Sequence, residues 1–147
     1  MKKISLALMS MILAMPSIAL AGNPGPFNWP VVKVVDGDTI QVDPDWLPEG
    51  LKLSIRVLGV DTPEKAPKAK CQKEADLGKK ATEFTTKLVA DAQARKAPIT
   101  FTKIEWDKFG GRMLAYVSID GKDLTTELIN NGLAREYHGE AKASWCN

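Results

Sequence analysis

Histidine and cysteine are almost missing from this chain of 147 residues: His138, Cys71 and Cys146 are all it has. Three such side chains fall one short of a four-ligand structural zinc site built from those types. The same scarcity argues against a Cys-His or Ser-His nucleophile, because His138 lies in a polar tail with no orienting partner at a telling spacing; it reads as a surface residue. No internal repeat or low-complexity tract is present. Excess charge is lacking too. The 20 basic and 18 acidic residues give a net +2, and Lys2 and Lys3 are expected to leave with a signal peptide, so the remainder balances. A neutral protein feels no overall pull toward a polyanion, and any nucleic-acid binding must come from a local basic face. Lys65, Lys68, Lys70, Lys73, Lys79 and Lys80 crowd one region and suit either a solvated helix face or a substrate funnel.

One long apolar run exists, at the start. Lys2-Lys3, the stretch Ile4 to Met15, and Pro16 onward to Ala19-Leu20-Ala21 read as a secretory signal peptide over residues 1–21, cleaved after Ala21. A membrane anchor needs about 20 apolar residues; this run is shorter and breaks at Pro16. The expected product is exported, periplasmic or secreted, free of the membrane and monomeric. Residues 22–29, rich in Pro and Gly, read as a leader, and residues 30–147 as one domain with one core. In an oxidising compartment, pairing of Cys71 with Cys146 is favoured over two free thiols.

Strands are expected at about Val31 to Val35 and Thr39 to Val42, joined by the hairpin dipeptide Asp36-Gly37, which tolerates φ > 0. The loop Asp43 to Gly50 carries acids but lacks the mid-loop glycine and distal glutamate of an EF-hand. Leu51, Leu53, Ile55 and Val57 alternate with Lys52, Ser54 and Arg56, a strand that turns Arg56 away from the core. Pro63 ends it, leaving Asp61 and Glu64 on a turn. Gln72 to Ala92 is a helix with an apolar stripe of Leu77, Ala81, Phe84, Leu88 and Ala92, loosened by Gly78 at a cost of about 1 kcal/mol relative to Ala. Strands Ile99 to Trp106 and Met113 to Ile119 follow, then a short helix capped by Asp123 and ended at Gly132. Five strands with a helix between the third and fourth is the order of an OB-fold, a small barrel that often binds nucleic acid. The order alone leaves other α+β arrangements open.

Three carboxylates, Asp38, Asp61 and Glu64, and two arginines, Arg56 and Arg112, lie at strand ends. These are the parts for metal-assisted phosphoryl chemistry, in which a hard cation and guanidinium forks stabilise charge on a phosphate. Asp36-Gly37-Asp38-Thr39, Arg56 with Val60-Asp61-Thr62-Pro63-Glu64, and Asp107-Lys108-Phe109-Gly110-Gly111-Arg112 before Leu114-Ala115-Tyr116 together resemble the staphylococcal nuclease family. That resemblance implies an α+β fold with a five-stranded OB-fold-like β-barrel and a short C-terminal helix. It implies a calcium-dependent endonuclease acting on DNA or RNA and leaving 3′-phosphate ends, with magnesium as the other cation to consider. Asp38, Asp61 and the carbonyl of Thr62 would hold the cation. Arg56, Arg112 and Glu64 would be catalytic. Two departures stand out: Gly110-Gly111 puts an extra glycine before Arg112, and the tail from Tyr137 to Asn147 is short. The competing readings are a non-catalytic nucleic-acid-binding OB module and an exported phosphate-binding protein.

Overall fold

The structure, a computed structural model, describes residues 25–147; the expected signal peptide and the first residues of the expected leader lie outside them. In chain order the elements are β1 (Val31–Asp36), β2 (Thr39–Val42), β3 (Leu53–Val57), β4 (Val60–Asp61), α1 (Gln72–Ala94), β5 (Ile99–Trp106), β6 (Arg112–Ile119), β7 (Lys122–Asp123), α2 (Leu124–Asn130) and β8 (Arg135–Glu136). The long strands form one sheet in the order β1-β2-β3-β6-β5, with β7 on β6, while β4 and β8 pair separately. All neighbours are antiparallel except β3 and β6. That parallel pair sets Ser54 beside Arg112 and Arg56 beside Leu114, which brings the two arginines to one face. Among the described residues no helix is long and apolar enough to cross a membrane.

The fold is α+β, as expected, but the ladder does not close into a barrel among the described residues. Its end strands β1 and β5 do not pair. Instead the leader makes a single antiparallel bridge, Phe27 to Phe101 of β5, with both N–H···O distances 2.9 Å. Trp29 stacks between Phe27 and Phe101. These aromatic rings draw the end of the leader onto the core, so packing begins before residue 30.

Alternation in β3 holds: Leu53, Ile55 and Val57 are buried and join Ile40, Val42, Phe101, Val117, Leu124 and Leu128 in the core. Leu51 lies outside the strand and is exposed. In α1 the most buried line runs through Gly78, Ala81, Thr85, Val89 and Ala92, with Leu77, Phe84 and Leu88 only partly covered. The stripe is therefore rotated from the apolar one, and small residues explain why. A Cβ on Gly78 would come within 2.5 Å of the Glu64 backbone, and one on Gly37 within 2.6 Å of the Ala81 side chain. The helix can approach the site turns closely only through such residues, so Gly78 is a packing requirement rather than a loose point. Gly37 likewise is not at positive φ, and the two-residue hairpin loop is Gly37-Asp38, flanked by paired Asp36 and Thr39. Gly78→Ala should cost about 1–3 kcal/mol by overpacking despite its better helix propensity. Urea unfolding checks this; a variant as stable as the parent would contradict it.

Candidate active site

Each acid of the site is fixed by a neighbouring element. Asp38 sits in the loop after β1, and that loop is pinned to α1 by the Thr85 hydroxyl, which donates to the Gly37 carbonyl at 2.7 Å. The carboxylate of Asp38 then accepts from the Thr39 hydroxyl (3.0 Å) and from the Thr62 N–H (3.3 Å). Asp61 ends β4, which pairs with β8. Asp38, Asp61 and Thr62 are all buried.

Arg56 joins the two acids. One terminal nitrogen, Nη2, lies 3.1 Å from Asp38 Oδ2 and 3.3 Å from Asp61 Oδ1. It does point away from the apolar core, but not to open water: its side chain is only 12% exposed. Two carboxylates thus converge on one guanidinium nitrogen, a pair of hard-oxygen donors held together by the positive charge of Arg56. Lys142, from the tail, also reaches Asp61 Oδ1 at 2.5 Å.

Arg112 opens β6 and is positioned by an acid that its place in the sequence does not single out. Its Nε pairs with Asp107, which is buried and also accepts from the Phe109 N–H at 3.2 Å. Backbone bonds from Asp107 N–H to Arg112 O and from Gly110 N–H to Asp107 O close the loop, with Gly110 and Gly111 both at positive φ. The extra glycine is thus absorbed in the turn while Arg112 stays anchored. Burial pushes the Asp107 carboxyl up, but the hydrogen bonds from Arg112 and Phe109 and the charges of Arg112 and Arg56 outweigh it and hold it below its ordinary 3.8. A carboxyl lowered in the folded state adds stability above its unfolded value and loses it as pH falls through the folded one. Asp107→Asn should therefore destabilise by about 1 kcal/mol at pH 7. The difference should shrink on acidification below 3.8, in thermal scans against pH. A gap that widens on acidification would be the contrary result.

Glu64 is half-buried, and its backbone is gripped from α1. Its N–H donates to Glu74 Oε1 at 3.4 Å, while the other oxygen of buried Glu74 accepts from Lys70 N–H at 2.7 Å. Cys71 caps the helix and Glu74 stands three residues later, the spacing of a capping box, which is the signal by which this residue could have been found. Among the described residues nothing pairs with the Glu64 carboxylate itself.

Arg56 and Arg112 line one groove of about 880 Å³, together with Leu114, Tyr116, Tyr137 and Lys142. Trp106 and Phe109, also on its wall, are 70% and 76% exposed. Exposed aromatic rings beside arginines suit an unstacked nucleotide chain. Asp38, Asp61 and Glu64 do not line this groove; Asp38 and Asp61 lie behind Arg56, with Lys142 also on Asp61. His138 is exposed at the rim. The lysine run disperses: Lys65 turns back to Val35 and Asp36, Lys73 bonds the terminal Asn147, and Lys79 pairs with Glu83.

A family model described as Staphylococcal nuclease homologue matches residues 54–144, which spans β3 to the tail and includes both arginines, Asp61 and Glu64. The chain belongs to the staphylococcal nuclease family. It is 34% identical over 149 residues to a thermonuclease of Staphylococcus hyicus, covering 92% of this chain and 82% of that one. It is 37% identical over 106 residues to a thermonuclease of Staphylococcus intermedius, and 36% over 103 to an endonuclease of Bacillus subtilis. Those two alignments take in 71% and 70% of this chain but only 56% and 44% of the relatives. Within this staphylococcal nuclease homologue no three His, Cys, Asp or Glu side chains gather as a metal cage among the described residues. The acids offered to a cation are the pair Asp38 and Asp61. Two carboxylates, completed by water or substrate, are oxygen donors of the kind that suits a calcium ion, which takes six to eight oxygens in a flexible shell.

Proposed function

We propose that the chain is a calcium-dependent endonuclease that hydrolyses phosphodiester bonds of DNA or RNA, exported and acting as a monomer. The observation that carries the reading is the double contact of Arg56 with Asp38 and Asp61, at the wall of a groove shared with Arg112. In this reading Asp38, Asp61 and the Thr62 carbonyl hold the ion. A calcium bound there would supply positive charge to the scissile phosphate. Arg56 and Arg112 neutralise charge building on the phosphate oxygens as the nucleophile adds, and their planar forks fix its orientation. Glu64, held by α1 and with a carboxylate that has no partner among the described residues, takes the proton of the attacking water. In-line attack expels the 5′ oxygen and leaves 3′-phosphate ends, as the family resemblance implies. Magnesium is less suited, since it demands a tighter octahedral shell.

Arg56→Ala removes a charge-assisted donor placed for the transition state and should lower kcat roughly a hundredfold. Arg56→Lys keeps the charge but not the fork, and should recover only part of that loss in a gel assay of oligonucleotide cleavage. Full activity in Arg56→Ala would take Arg56 out of the mechanism, whereas full activity in Arg56→Lys would show that its charge suffices without the fork. The second reading, a non-catalytic OB module, is favoured only by the exposed groove aromatics. Incubation with DNA and RNA in calcium separates the two: the nuclease yields fragments, whereas a binding module retains intact strands in a shifted complex.

A further inference from the structure

The tail beyond β8 is mostly exposed until Trp145, which is buried, and Cys146, which is bonded to Cys71 at the N-cap of α1. Arg135 clamps it from β8: its guanidinium lies 3.8 Å from the Trp145 ring centre, and Nη1 donates to the Ser144 carbonyl at 2.8 Å. Trp145 Nε1 in turn points at Asp61 Oδ2, 3.5 Å away. The strand pairing, the stacked arginine and the disulfide thus carry the tail across the buried end of β4. Lys142 lies four residues before the disulfide, and its ammonium meets the Asp61 oxygen that Arg56 also reaches.

We infer that Lys142 is the built-in cation of the Asp38–Asp61 pair, and that it holds Asp61 until a divalent cation takes its place. The inference rests on the reading of these two acids as the metal site. Two carboxylates facing one guanidinium and one ammonium make a neutral cluster. A divalent ion entering beside the ammonium is repelled by it, and that repulsion grows in a partly buried site. One cation has to leave. Arg56 is held in β3 and 12% exposed, whereas the Lys142 side chain is 43% exposed on a flexible stem and lines the open groove. Because the tail is covalently tied, the displaced ammonium stays near at high effective concentration and competes with the ion continuously. Lys142 thereby sets the calcium concentration at which the site fills. No such competitor is needed for charge balance once substrate phosphate arrives, so the effect belongs to the substrate-free protein.

Calorimetric titration of calcium into the full chain, as wild type, Lys142→Met and Lys142→Arg, tests this. Lys142→Met should bind calcium roughly fivefold more tightly, the bias a half-exposed ion pair gives an equilibrium. Lys142→Arg should stay near wild type. In the wild type, acetylation of Lys142 by an amine reagent, read by mass spectrometry, should rise when calcium is added. Equal or weaker calcium binding by Lys142→Met, or labelling of Lys142 that does not respond to calcium, overturns the inference. Absence of calcium binding in wild type and variant alike is a different failure: it removes the metal site itself, and this inference with it.

Discussion

Glu64→Gln should lower the rate of nucleic-acid cleavage by about 10² to 10⁴, the range for loss of a positioned general base. The amide is nearly isosteric, and what holds residue 64 is its backbone, through the Glu74 contact and the tight approach of Gly78, so the fold should be unchanged. The chemistry alone is lost. Calcium affinity measured on the same variant separates two roles: a base leaves it intact, whereas a ligand to the ion weakens it. Cleavage at the wild-type rate would remove Glu64 from the mechanism.

The second large effect concerns the disulfide. Cys71 and Cys146 are 75 residues apart in sequence, with Cα atoms 5.9 Å apart. Closing a loop of that length is worth about 4 kcal/mol in the chain-entropy model. Cys146→Ser should therefore lower the melting temperature by more than about 10 °C. The bond also ties the start of α1 to a tail that touches Asp61, so heat and calcium should be felt together: added calcium should restore part of the lost stability by binding only the folded form. Free-thiol counting on the unfolded, unreduced wild type should find none. An unchanged melting temperature would show that the tail is held by Trp145 and Arg135 without the bond.

The long elements were legible because strand alternation and the Asp123 cap are local signals, but β3 ends at Val57 well before Pro63, and Asp61 lies in the separate short strand β4 rather than on a turn. Leu53, Ile55 and Val57 turn inward as their period requires, and the Asp123 carboxylate accepts from the Thr126 N–H at 2.7 Å. What escaped depends on contacts distant in sequence. The helix stripe is rotated because Gly37 and the Glu64 turn press on α1, a demand that apolar periodicity does not carry. The barrel expectation holds only in part: the strand ladder stays open at its seam among the described residues, where Phe27 makes a single bridge to Phe101. Within the site, Asp38, Arg56 and Asp61 could be chosen by residue type and do converge. Asp107 and Glu74 were passed over because, in sequence, a carboxylate that positions another residue looks like any surface acid. The tail was harder still: nothing in the order Lys142 to Cys146 shows that its lysine and tryptophan reach Asp61, 84 positions from Trp145.

The most direct measurement is the cleavage of one end-labelled oligonucleotide by the wild-type protein, with calcium and then with excess chelator, reading both rate and end groups. Rapid cleavage to 3′-phosphate ends in calcium, abolished by the chelator, is the predicted result. Cleavage that proceeds equally in both conditions, or no cleavage in either, would contradict a site built on the carboxylates of Asp38 and Asp61.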